Sequence, residues 1–118
     1  MEAKTSLKRK NDNSKVLNEL GIADNFFSRA KGLLGTKNLA PGRGLWIHRC
    51  NSIHTFFMKY AIDCIFLDSE MKIVSLIPQV TPGKMVWPQP RALSVVEMAA
   101  GQLEKLNLKV GEELYVGN

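Results

Sequence analysis

The stretch Ile62-Asp63-Cys64-Ile65-Phe66-Leu67, followed by Asp68-Ser69-Glu70 and then Lys72-Ile73-Val74-Ser75-Leu76-Ile77, decides the fold class. Each flank is a short run rich in Ile, Val, Leu and Phe, and the residues between them are turn formers. Ile65, Phe66 and Leu67 are apolar at both strand parities, so the sheet that holds them is covered on both faces. Runs of the same kind recur at residues 45–48, 53–58, 93–98 and 114–116. Turn signals separate them: Pro41-Gly42, Thr81-Pro82-Gly83, Pro88-Gln89-Pro90 and Gly111.

Helical spacing occurs in two places. Asp24 is placed to cap a helix in which Phe26, Phe27, Ala30, Leu33 and Leu34 form an apolar stripe, and Gly35 is placed to end it. Residues 100–106 suit one helical turn or two. The expected architecture is mainly β with two short helices, a compact single-domain β sandwich or small barrel. The chain has 118 residues, 45% of them hydrophobic and 23% charged, enough apolar mass for a core in one domain. Residues 1–15 carry five basic and two acidic side chains with scattered apolar positions and read as a disordered basic tail. Residues 16–118 read as the single domain.

The apolar runs are too short to span a bilayer, which takes about 18 residues or more, and the N-terminus has no apolar signal region. Cys50 and Cys64 are too few for a disulfide scaffold, so two reduced thiols in a cytoplasmic protein are expected.

Several strings are recognisable. Ser28-Arg29-x-x-Gly32-Leu33-Leu34-Gly35 with Gly44-Leu45-Trp46-Ile47 resembles the opening of the DUF192 family, also called UPF0127. The stretch Ser52-Ile53-His54-Thr55-Phe56-Phe57-Met58, followed by Ile62-Asp63-x-Ile65-Phe66-Leu67-Asp68, is similar to its central signature. Val96-Glu97-Met98-x-Ala100-Gly101, then Leu108-x-x-Gly111-Glu112, is similar to its closing motif. The resemblance covers about residues 17–116. It implies a small β-rich domain of uncharacterised activity, and the missing export signal places this chain with the cytoplasmic subgroup.

Polar residues inside apolar strands are the candidate chemistry. Asp63 and Glu97 each interrupt an apolar strand, and a buried carboxylate is costly unless paired or hydrogen-bonded. Both can line a polar cleft, or each can be tied to Arg29, His54 or backbone N–H groups; structural pairing is the favoured of the two. His54 shares a strand parity with Phe56 and Met58 and suits proton transfer or anion binding, or a hydrogen-bonded structural role. Cys50 near His54 suggests a nucleophile and base, but nothing marks the thiol as activated. His48, Cys50, His54 and Cys64 number enough for zinc, yet their spacing matches no standard zinc motif, so no metal and no cofactor is expected. Trp46 and Trp87 alternate with aliphatic neighbours and read as core or rim.

The formal charge is +5, more than half of it in residues 1–15. From Asn25 to Ile62 no acid occurs, while Arg29, Lys31, Lys37, Arg43, Arg49 and Lys59 do, which could make one electropositive face. A solvated surface whose acids lie across the sheet explains the same run. No nucleic-acid motif is present and aromatic residues are not interleaved with the basic ones, which disfavours nucleic acid. The preferred function is a ligand-binding or accessory module, its cleft lined by Arg29, His54, Met58, Asp63 and Glu97 and its ligand small or anionic. Two rivals follow: a hydrolase using His54 with Asp63 or Glu97, and a polyanion binder using the basic tail and face.

Overall fold

β5 (Ile62–Leu67) runs through the sheet with every residue buried, flanked by β6 (Ile73–Val80) and β8 (Ser94–Ala99), both antiparallel to it. The protein was analysed as a computed structural model that describes residues 4–117. β3 (Arg43–His48) pairs antiparallel with β8, and β2 (Lys15–Ala23) pairs parallel with β3. β1 (Lys4–Arg9) folds back on β2, and β9 (Leu114–Val116) pairs with β1. The seven strands form one sheet in the order β6-β5-β8-β3-β2-β1-β9. A separate two-stranded ribbon joins β4 (Ile53–His54) to β7 (Met85–Val86). α1 (Phe26–Lys31) and α2 (Gln102–Leu106) are the two short helices.

The expected mainly β globule is what forms, and its large sheet is not a closed barrel. It curls until its two edges meet at one end. There Ile73 N–H donates to Glu112 O (2.9 Å), Gly111 N–H to Ile73 O (2.8 Å) and Leu114 N–H to Met71 O (2.9 Å).

One cluster of apolar side chains fills each face. Leu7, Leu17, Leu20, Ile65, Leu67, Val96, Met98 and Leu114 pack on one side, with Leu103 and Leu106 against them. Ala23, Leu45, Ile47, Ile62, Cys64, Phe66 and Val95 pack on the other. The second face is roofed by the crossover that a parallel β2–β3 pair requires. That crossover holds α1, and its Leu33 and Leu39 reach the cluster.

Four expectations need correction. The proposed disordered tail contains β1, because Leu7 is fully buried and the strand is bonded on both edges; residues 1–3 lie outside the described residues. Asn25, not Asp24, caps α1: its side chain accepts from Ser28 N–H (2.9 Å) and Ser28 Oγ accepts from Asn25 N–H (3.3 Å), a reciprocal capping box. The helix then ends at Gly32 (φ 51°), three residues before Gly35. The strand expected over 53–58 stops at His54, and the chain turns, with Met58 N–H donating to Thr55 O (3.1 Å) and Phe57 at φ 67°. Of the apolar stripe expected on α1, the side chains of Phe26, Phe27 and Ala30 lie outside the description.

Candidate functional site

Asp63 is fully buried in β5, and its carboxylate is spent on backbone. Opposite it, β6 carries one extra residue, because Ile62 pairs with Val80 while Cys64 pairs with Ile77. Such a bulge leaves an N–H outside the ladder. That N–H belongs to Gln79 and donates to Asp63 Oδ1 (2.8 Å). The second oxygen accepts from Leu103 N–H (2.9 Å) in the first turn of α2, whose own cap, Gly101, has no side chain to offer. Asp63 therefore fastens β5, the β6 bulge and α2 together. A cavity of about 450 Å³ opens beside it, lined by Leu76, Pro78, Gln79, Gly101, Leu103 and Glu104.

Glu97 behaves differently. It is 5% exposed, and among the described residues its carboxyl has no hydrogen-bond or ion-pair partner. Burial raises its pKa from 4.5 to about 7. Glu97 pairs with Leu45 and with Cys64 in the ladders on either side, so its side chain lies on the face roofed by α1. A Cβ added to Gly32 would lie 3.9 Å from its Oε1, so the end of α1 passes directly over the carboxyl. Glu97 and Arg29 both act electrostatically on Cys50. Met58, Cys50 and Tyr60 are half-buried against the same cluster. The roof is pinned where Thr36 Oγ1 and Tyr60 Oη share a hydrogen bond of 2.6 Å. A small cavity of about 130 Å³ enters beside Gly32, lined also by Ala23, Ser28, Lys31, Leu33, Thr36 and Leu45.

His54 stands apart from both acids. It pairs with Met85 on the outward side of the ribbon, whose other pair, Ile53 and Val86, packs inward. Its ring is exposed, stacks on Phe56 at 5.2 Å, and accepts Phe56 N–H at Nδ1 (3.3 Å).

The five residues expected to line one cleft do not do so. Arg29, Met58 and Glu97 belong to the α1 side, Asp63 to the opposite face, and His54 to the ribbon's outer side. The set of His54 with Asp63 or Glu97, required for hydrolysis, is not assembled. Cys50 is no activated nucleophile either: burial raises its pKa, and its thiol donates to Ser52 O (2.9 Å). His48 pairs with Ser94, placing it on the face opposite Cys64, so those two cannot share a metal.

Thr55 is a key residue that the sequence reading passed over. Fully buried, it donates from Oγ1 to Thr81 O (2.6 Å), accepts there from Lys84 N–H (2.9 Å), and donates its own N–H to Lys84 O (2.8 Å). The signal was its shared parity with the inward-facing Ile53. Trp87, expected at core or rim, is 72% exposed on the ribbon.

The charge pattern also resolves locally. Arg9 binds Glu112 (2.7 Å) and Lys10 approaches Glu113 (3.7 Å), so the basic N-terminal segment lies along the acids that precede β9. Arg43, from the acid-free stretch, pairs with Glu19 of β2 (2.8 Å).

These features define a class: a small mainly β domain with a buried acid on each face of its sheet and a projecting ribbon. The chain belongs to the DUF192 family, described as "Uncharacterized ACR, COG1430", whose model matches residues 7–116 and so takes in the second half of β1. It is 37% identical over 97 residues to a UPF0127 protein of Thermococcus sibiricus, covering 79% of this chain and 62% of that protein. The chain thus spans less than two-thirds of that relative. A UPF0127 protein of Pyrococcus horikoshii is 35% identical over 102 residues, covering 81% of this chain and 85% of its own. Two solved structures share the fold. A protein of unknown function from Novosphingobium aromaticivorans has a TM-score of 0.81 at 16% identity, covering 96% of this chain and 84% of that one. A Sinorhizobium meliloti protein described as a candidate transcription regulator has a TM-score of 0.83 at 20% identity, covering 97% and 94%. At these identities the likeness is one of fold alone.

Proposed function

We propose that the protein is a small cytoplasmic binding module whose ligand site lies on the α1 side of the sheet, around Glu97, Arg29 and Met58. The observation that carries this reading is the carboxyl of Glu97, a residue only 5% exposed that has no hydrogen-bond or ion-pair partner among the described residues. Burying a polar group without a partner costs on the order of 2 kcal/mol or more, a cost that a ligand's donor would offset. Arg29 supplies a cation on the same side, and Lys31 lines the small cavity. The set therefore suits a small ligand with a donor for Glu97 and an acidic group for Arg29 or Lys31, such as an amino-acid-like zwitterion. The cavity of about 130 Å³ beside Gly32 is not lined by Glu97, Arg29 or Met58 and adjoins the carboxyl only through Gly32, which passes over it. The two free thiols suit a reducing compartment.

The test is a thermal-shift screen of small zwitterions and carboxylates on the whole chain, repeated with Glu97→Gln and Arg29→Met. A hit whose stabilisation is lost in both variants supports the site. Hits that bind both variants as well as the parent protein, or no hits at all, reject it.

A further inference from the structure

We propose that the outward side of the β4–β7 ribbon is a docking surface for an anionic lipid bilayer. Phe57 is 89% exposed at the turn, and Trp87, Met85 and Phe56 are exposed behind it. Met85 pairs with His54 across the ribbon, Phe56 stacks on His54, and Trp87 stands just past the end of β7, two residues after Met85. Four large apolar side chains are thus grouped on one small projection, whereas monomeric surfaces ordinarily scatter them singly.

The projection is built to hold its shape. Thr55 bonds the backbone at Thr81 and Lys84 from beneath, and Gly83 N–H donates to Thr55 O (2.9 Å). Phe57 takes a left-handed backbone (φ 67°), unusual for an aromatic residue, and this turns its ring away from the protein. A preorganised tip loses little entropy on insertion.

Charge selects the occupant. The two strands lie within acid-free stretches, residues 25–62 and 71–96. Lys59 and Lys84 are exposed, each close in sequence to the apolar tip. Aromatic rings seat at the boundary between headgroups and acyl chains, while lysines reach the phosphates with their stems along the apolar layer. A second copy of this chain would bring like charge against like. Single-stranded nucleic acid needs open ring faces along a groove, but Phe56 and His54 already stack on each other, and Met85 offers no ring. This proposal is independent of the Glu97 site.

The experiment is co-sedimentation of the whole chain with vesicles of phosphatidylcholine alone, and with about one-third phosphatidylglycerol. Two double variants are compared: Phe57→Ser with Trp87→Ser, and Lys59→Glu with Lys84→Glu. All four side chains are exposed, and unfolding midpoints verify that the variants fold. The expected result is binding to the anionic vesicles, weakened by added salt, reduced about tenfold or more by the aromatic pair and also by the lysine pair. Absence of binding by the parent protein overturns the proposal, as does undiminished binding by the aromatic variant. So does a mixed oligonucleotide that binds where vesicles do not and is lost in the same variants.

Discussion

Asp63 and Glu97 sit one register step apart on the adjacent strands β5 and β8, and they point to opposite faces of the sheet. Each is buried, yet their surroundings differ in kind. Two backbone N–H groups compensate Asp63 for lost water, while Glu97 is not compensated among the described residues. A single sheet thus holds one acid that ties three elements together and one with no partner among the described residues.

Replacing Asp63 by Ala would leave Gln79 N–H and Leu103 N–H without acceptors. The expected loss is about 3 kcal/mol, read from urea unfolding, since hydrogen bonds to charged groups contribute more than neutral ones. Asp63→Asn keeps one acceptor oxygen and should lose less. In hydrogen exchange, the amides of Gln79 and Leu103 should lose protection first. Unchanged protection there would show that the carboxylate does not hold the bulge and α2 together.

Glu97 predicts an opposite dependence on pH from that of a paired carboxylate. Its folded pKa is raised from 4.5 to about 7, so the folded protein holds a proton that the unfolded chain releases. The associated stability is present below pH 4.5 and is lost as pH rises to about 7. At about 1.4 kcal/mol per unit, the loss is about 3 kcal/mol. Glu97→Gln cannot titrate and should remove this slope, gaining on the parent protein as the medium is taken from about pH 5 to about pH 8. Urea unfolding at both pH values decides it, and an equal slope in the two proteins would place the titration elsewhere.

The contrast between the acids shows what the sequence could reveal. That Asp63 and Glu97 interrupt apolar strands is legible, because apolar neighbours on both sides declare the burial. Which face each takes depends on how β5 registers against β8, and that is set by pairing across more than thirty intervening residues. β1 escaped notice for a related reason. Its residues Lys4–Arg9 contain one large apolar side chain, Leu7, and the acids that answer its charge lie about a hundred residues further on. At the ribbon, alternation over 53–58 separates His54 from Ile53 and Thr55 but does not say which side faces inward, and His54, expected in a cleft, is the exposed one. Alternation could not show the turn at Thr55, since Phe57 carries no glycine-like signal for its left-handed backbone.

Gly44 should tolerate no side chain, although its φ lies outside the left-handed region. An added Cβ would stand 2.6 Å from Leu17 Cδ1 and 2.8 Å from the backbone oxygen of Glu97. Leu17 is tightly buried and the oxygen belongs to the β8 ladder, so neither can withdraw cheaply. Gly44→Ala is expected to cost about 3 kcal/mol, as overpacking of a close-packed core does. The unfolding midpoint measures it, and a variant as stable as the parent would mean that β2 and β3 can part without loss.

Deleting residues 1–9 tests whether the N-terminal segment is tail or strand. The cut removes Leu7 from the core and strips the edges of both β2 and β9. It also removes Arg9, whose guanidinium donates to Glu112 (2.7 Å) and to the carbonyls of Leu106 and Asn107 (3.0 Å each) at the end of α2. Loss of cooperative unfolding is expected, because a bare β9 of three residues has little else to pair with. Arg9→Met separates the parts: it keeps the strand, loses the charge-assisted bonds, and should cost only about 1–2 kcal/mol. A truncated chain that unfolds at the parent's midpoint would make β1 dispensable. The basic charge would then need a purpose other than binding the acids beside β9.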